Sequence, residues 1–275
     1  MRPRPPHPPL ALAAFAATSA LLLLGPPACD EGADAPGGKR VALATRATSD
    51  GEASAPFTTA TGWTVTLTRA QVSLGALYYF DGEPVLTARL APPAAPPGAR
   101  WAWPFGLRTA HAHPGHYVPG NALGQMVVPS RFDLSAGDAA LPTGDGVTGP
   151  FRSAKVVFAA PAEGGAAIAL AGRAEKGAEV RAFSAEFSAD ELRADETQLE
   201  SAVEGCAFEP ADVEGDGFVT LAARPSIWFE QTDFAELAPS ADGAPQPLPA
   251  DSAARRALSR GLKKGAAYVF RYATQ

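Results

Sequence analysis

The feature that most constrains the fold of this chain is a period of two in its apolar residues. In Trp63-Thr-Val-Thr-Leu-Thr68, the side chains of Trp63, Val65 and Leu67 alternate with threonines. Successive side chains of an extended backbone point to opposite faces, so this is the pattern of a strand with one buried face. Leu74 to Phe80 is apolar and aromatic, and Asp81-Gly82 followed by Pro84-Val-Leu86 reads as a hairpin turn into a further strand. Lys155 to Phe158 predicts another strand. Residues 166–171 and 178–187 read as the arms of a hairpin around Glu175-Lys-Gly177, and 218–222 and 267–272 complete a set of about eight to ten short strands. Strands of this length separated by Gly and Pro turns predict an all-β fold, an antiparallel β-sandwich or an open barrel, with one or two short helices.

The helical signals are few. Asp251 can cap Ser252 to Leu262, where Ala254, Leu258 and Leu262 recur every four residues and Gly265 follows the end. Ser188-Ala-Asp-Glu191 has the spacing of a capping box, and Ile227-Trp-Phe229 with Phe234 reads as an apolar turn or short helix inserted in the core.

The first 28 residues combine Arg2 and Arg4, an apolar run from Leu10 to Leu24 and a small-residue exit at Gly25-Pro-Pro-Ala28. That order is the signature of a secretory signal peptide, and the run is short for a membrane-spanning helix. Cys29 directly follows the exit, which marks it as the candidate lipidation site of an exported, membrane-anchored lipoprotein of the periplasm or cell envelope. Pro26 departs from the Leu usual in such sites. Residues 29–40, acidic and Gly-rich at first, then suit a flexible tether, and 41–275 form one domain with a long loop at about 92–130. Without residues 1–28 the chain has 21 basic and 29 acidic residues, a formal charge of −8. An acidic surface argues against nucleic acid and against anionic lipid headgroups as partners.

Three of the four histidines fall within six residues, His111-Ala-His113-Pro-Gly-His116, and the fourth, His7, lies in the expected signal peptide. His111 and His113 share a face of extended backbone, and Pro114-Gly115 permits a turn that returns His116 towards them. Three converging imidazoles supply the core of a copper or zinc site. Met126, a soft thioether ten residues on, is a candidate fourth ligand suited to Cu(I), or else fills core space with Val127 and Val128. Trp101, Trp103 and Tyr117 are expected to wall the site or simply to pack. Cys206 is expected to be buried; were Cys29 retained without lipid, a Cys29–Cys206 disulfide would be open to the chain.

A second candidate is Asp212-Val-Glu-Gly-Asp216-Gly217, which echoes a calcium loop but has Ala223 at the twelfth position, where a bidentate acid is required. A tight acidic turn is the better reading. Catalysis finds little support: no G-x-S-x-G elbow, P-loop or dinucleotide fingerprint is present, and nothing in the spacing singles out Asp133 or Glu83 as the acid a zinc hydrolase needs.

The signal-like start, Gly62 to Thr68, Ala110 to Tyr117, and Phe218-Val-Thr-Leu221 leading into Trp228-Phe229 resemble, over most of residues 41–275, uncharacterised secreted bacterial lipoproteins. More distantly, the layout is similar to periplasmic copper-binding proteins of the methanobactin-partner type. That similarity implies a β-sandwich and copper held by histidine, which here could involve only His111, His113 and His116. The expected function is metal capture or buffering, copper before zinc. The alternatives are a non-catalytic envelope or adhesion module with incidental histidines, and a zinc-dependent hydrolase.

Overall fold

The alternation builds thirteen strands among the described residues of this computed structural model, which are 38–49, 51, 55–84, 119–193, 198–239 and 243–274. They are β1 (Arg40–Ser49), β2 (Phe57–Thr58), β3 (Thr64–Phe80), β4 (Ala122–Met126), β5 (Ser130–Asp133), β6 (Ala139–Val147) and β7 (Gly149–Phe158). Then follow β8 (Ile168–Lys176), β9 (Glu179–Phe187), β10 (Ser201–Val213), β11 (Gly217–Ala223), β12 (Gln246–Pro247) and β13 (Tyr268–Thr274). Two α-helices, α1 (Pro225–Trp228) and α2 (Ala253–Leu262), interrupt them. The fold is all-β, and Gly37–Gln275 form one compact unit.

The two strands expected at 63–68 and 74–80 are one continuous strand. Its first half pairs with β8 and its second half with β7, and register shifts at Leu67/Arg69 and Leu74/Ala76 bend it between the two. Following hydrogen-bonded neighbours, β3, β4, β6, β1, β11, β13, β10 and β7 lead back to β3, so these eight strands close a ring. The pairings are not all antiparallel: β1 with β11, β10 with β13, and β12 with β9 are parallel. β1 and β11 are far apart in sequence, and the long connection a parallel pair needs is therefore present.

Side chains fill the ring. Tyr79, Phe151, Phe208 and Phe270 come from four of its strands, with ring centroids 5.4 to 6.0 Å apart, and each is at most 2 % exposed. An eight-stranded barrel is just wide enough to be packed in this way. Beyond the ring, β8, β9 and β12 extend the sheet from the first half of β3. Phe183 of β9 packs on Phe229 and Phe234 at 5.5 and 4.8 Å, while Trp63 meets Phe234 at 5.8 Å and donates from Nε1 to Asp233 Oδ1 at 2.8 Å. The apolar turn predicted around Trp228 is therefore a core plug.

The hairpin predicted around Gly177 forms as β8 and β9. The cap of α2 is Ser252, not Asp251: Ser252 Oγ accepts from Arg255 N at 3.1 Å. The capping box is reciprocal, with Glu191 Oε2 accepting from Ser188 N at 2.9 Å and Ser188 Oγ from Glu191 N at 3.3 Å, but it starts only a three-residue 3-10 turn.

Candidate functional site

At one end of the ring, β3, β6, β10 and β13 finish while β1, β4, β7 and β11 begin. The chain leaves this mouth after Phe80 and returns to it at Asn121, so the histidine-bearing excursion starts and ends here. Its two ends are tied together. Asn121 donates from its backbone N to Asp81 Oδ1 at 2.7 Å and from Nδ2 to Asp81 Oδ2 at 2.8 Å. Asp81 N donates to Asn121 O at 3.2 Å, and Gly82 N to Pro119 O at 2.9 Å. The Ser153 hydroxyl on β7 donates to Gly82 O and fixes the stem to the barrel wall. Hydrogen bonds from the Asn121 side chain and backbone hold the Asp81 carboxyl below its usual range.

The Asp81-Gly82 turn is thus a loop stem and not the hairpin expected from the sequence. The physical reason is that β4 and β7 already occupy both edges of β3 at Leu77 to Phe80, which leaves no edge for an immediately following strand. Residues 85 and 86 of that expected strand lie outside the described residues.

Next to the stem is an open cavity of about 430 Å³, lined by Arg40, Val41, Leu123, Gln125, Asp145 and Val147 among others. β4 and β6 pair through only two residue pairs here, and their backbones come very close. A Cβ on Gly144 would lie 2.5 Å from Gln125 O, which explains glycine in the middle of β6. The first strand enters at the same mouth, where Lys39 N donates to Thr148 Oγ1 at 3.0 Å and Thr148 N to Lys39 O at 2.8 Å. Lys39 and Arg40, the last two residues of the tether expected over 29–40, are thus hydrogen-bonded backbone and the start of β1.

His111, His113 and His116, with Trp101, Trp103, Tyr117 and Cys29, lie outside the described residues. Met126 is described: it is 1 % exposed, opposite Leu77 and part of the apolar core. It also lies five residues along β4 from the stem, roughly 17 Å at strand rise. Its thioether is placed as a packing group.

Asp133 is roughly 30 Å along β3 from the stem, opposite Gln71. Burial works to raise its carboxyl, but hydrogen bonds from Ser135 and Ala70, with the Arg69 charge, hold it below the usual range. It accepts from Ala70 N and Ser135 N, both at 2.9 Å, as a turn cap. Glu83 is exposed just beyond the stem. Asp212 pairs with Arg152 at 2.9 Å, and Asp216 Oδ1 accepts from Ala42 N at 2.8 Å, so the calcium-like segment is a turn whose acids tie neighbouring strands. Among the described residues no three His, Cys, Asp or Glu side chains are grouped to hold a metal ion. Cys206 is fully buried and unpaired.

Sequence reasoning missed the stem. The signal was available as turn residues at both ends of one excursion, Asp81-Gly82 and Gly120-Asn121, the second with Gly120 at φ +77°. No family model, curated protein or solved structure matches this chain at a significant level. No described helix is long and apolar enough to cross a membrane.

Proposed function

We propose that this chain is an exported protein, anchored to the membrane through lipid on Cys29, that captures or buffers a transition metal, copper before zinc, through His111, His113 and His116. The observation that carries the reading is the concentration of every histidine beyond His7 in one excursion whose two ends are tied by Asp81 and Asn121. A fixed stem shortens the effective loop and lowers the entropy lost when three imidazoles gather on one ion. Both oxygens of Asp81 are engaged by Asn121, so Asp81 serves as a clamp of the stem. Met126 is not in the proposed ligand set, because its sulfur is packed in the core.

Elemental analysis of the protein purified from its native envelope tests the reading. Wild-type protein should retain about one equivalent of copper or zinc after dialysis against a weak chelator, and His113→Ala should weaken binding by at least about tenfold. Equal metal content in the variant would refute the site. Cys29→Ser should move the protein from the membrane fraction to the soluble fraction.

A further inference from the structure

The charge of this chain is segregated. Residues 252–275 hold Arg255, Arg256, Arg260, Lys263, Lys264 and Arg271 and no acid, a charge of +6, which leaves −12 on the rest. Three of these cations, at positions 255, 256 and 260, fall on one side of α2, and Lys263 follows as the residue that caps its end. The opposite side, with Ala254, Leu258 and Leu262, is buried. The basic side borders a groove of about 310 Å³ in which Glu191 is the only acid among the described residues, so that described lining carries +3.

The groove is built around a fixed guanidinium. Arg255 lies over the Phe187 ring at 4.5 Å and donates through Nη2 to Glu191 Oε1 and Glu186 O, both at 2.6 Å. Glu191 also accepts from the Ser188 backbone and hydroxyl, so its charge is taken up within this corner. The remaining cations are underused. Among the described residues the Arg256 side chain donates only to the backbone oxygen of Asp251, and Lys263 reaches the backbone oxygens of Glu191 and Arg193 at 3.4 and 3.3 Å, both long. Arg260 is exposed and has no hydrogen bond or ion pair with a described residue. Ser259 adds a hydroxyl at the rim.

We infer that this groove between α2 and the corner after β9 binds a phosphate group, carried either by a small soluble ligand or by an anionic lipid headgroup. Guanidinium groups and an ammonium converging on one concavity match a tetrahedral dianion, and a monovalent carboxylate would leave most of the charge unpaired.

Calorimetric titration of the full chain at low ionic strength, with inorganic phosphate and separately with monomeric dihexanoyl phosphatidic acid, whose phosphomonoester can carry the second charge, tests this. The variant is Arg256→Gln/Arg260→Gln, whose side chains are exposed. The control, Arg69→Gln/Arg173→Gln on β3 and β8, removes the same charge elsewhere. Saturable phosphate binding weakened at least about tenfold in the variant and kept in the control supports the site and a soluble ligand. The same pattern with phosphatidic acid but not phosphate supports the site and a lipid source. Binding of neither ligand, or equal losses in variant and control, overturns the inference. Metal content plays no part in this readout.

Discussion

Phe208→Ala puts the packed interior of the ring to a quantitative test. Phe208 is 2 % exposed and meets Phe151, Tyr79 and Phe270 at 5.4, 5.9 and 6.0 Å. Truncating a buried Phe removes its transfer free energy and leaves a cavity, together about 3–5 kcal/mol. The three ring contacts place this site in the upper part of that range, near 4 kcal/mol. For a domain of this size each kcal/mol moves Tm by about 2–4 °C, so the variant should melt roughly 8–16 °C lower. Phe218 is the internal control. It is 38 % exposed, with the Arg46 guanidinium 6.0 Å away, and Phe218→Ala should lose no more than about 1 kcal/mol. Urea unfolding followed by circular dichroism gives both values. If Phe208→Ala were as mild as Phe218→Ala, the interior would be loose, and a hollow ring able to carry cargo would replace the packed one described above.

The Asp81 stem has a defined pH signature: a carboxyl whose folded value is depressed adds stability that is complete above its ordinary value of 3.8 and is lost as pH falls through the lower folded value. The stability gap between wild type and Asp81→Ala should therefore hold steady above about pH 5 and close below 3.8; a gap that persists in acid contradicts the clamp. Gly261→Ala should destabilise despite the better helix propensity of Ala, because the new Cβ would lie 2.0 Å from Trp228 O. The expected loss is about 1–3 kcal/mol, and a rise in Tm would show that α2 shifts freely. Burial pushes the Cys206 thiol far above its usual range, so it should resist iodoacetamide in the native protein and react only on unfolding; rapid native labelling would count against its placement.

The sequence carried strands where alternation was clean. Trp63 to Thr68 is legible by its alternation, Leu74 to Phe80 by its apolar and aromatic content, and the β8–β9 hairpin by the turn at Gly177, while the register shifts inside β3 hide that the first two are one strand. β6 was not, since Pro142, Gly144 and Gly146 read as loop residues while close backbone approach at Gly144 is what demands glycine there. β10 was hidden by register shifts after Val203 and Ala207, which break its alternation. β1 was assigned to the end of the tether and the start of the domain without being recognised as a strand, although Val41, Leu43, Thr45 and Ala47 are its buried positions. Ring closure is set by long-range pairings that no local pattern encodes. At the stem, the Asp-Gly pair is a genuine turn signal, but only the occupied edges of β3 decide that it opens a long excursion.

The place of β13 has a consequence for biogenesis. It lies between β11 and β10 and follows every other strand of the ring in sequence. A polypeptide emerging from its N-terminus therefore cannot seal the cylinder until residues 268–274 arrive, and until then β11 and β10 offer bare margins to any neighbouring strand. Loss of these few residues would leave a split cylinder prone to self-association, so quality control of this protein should be unusually sensitive to truncation ahead of residue 268.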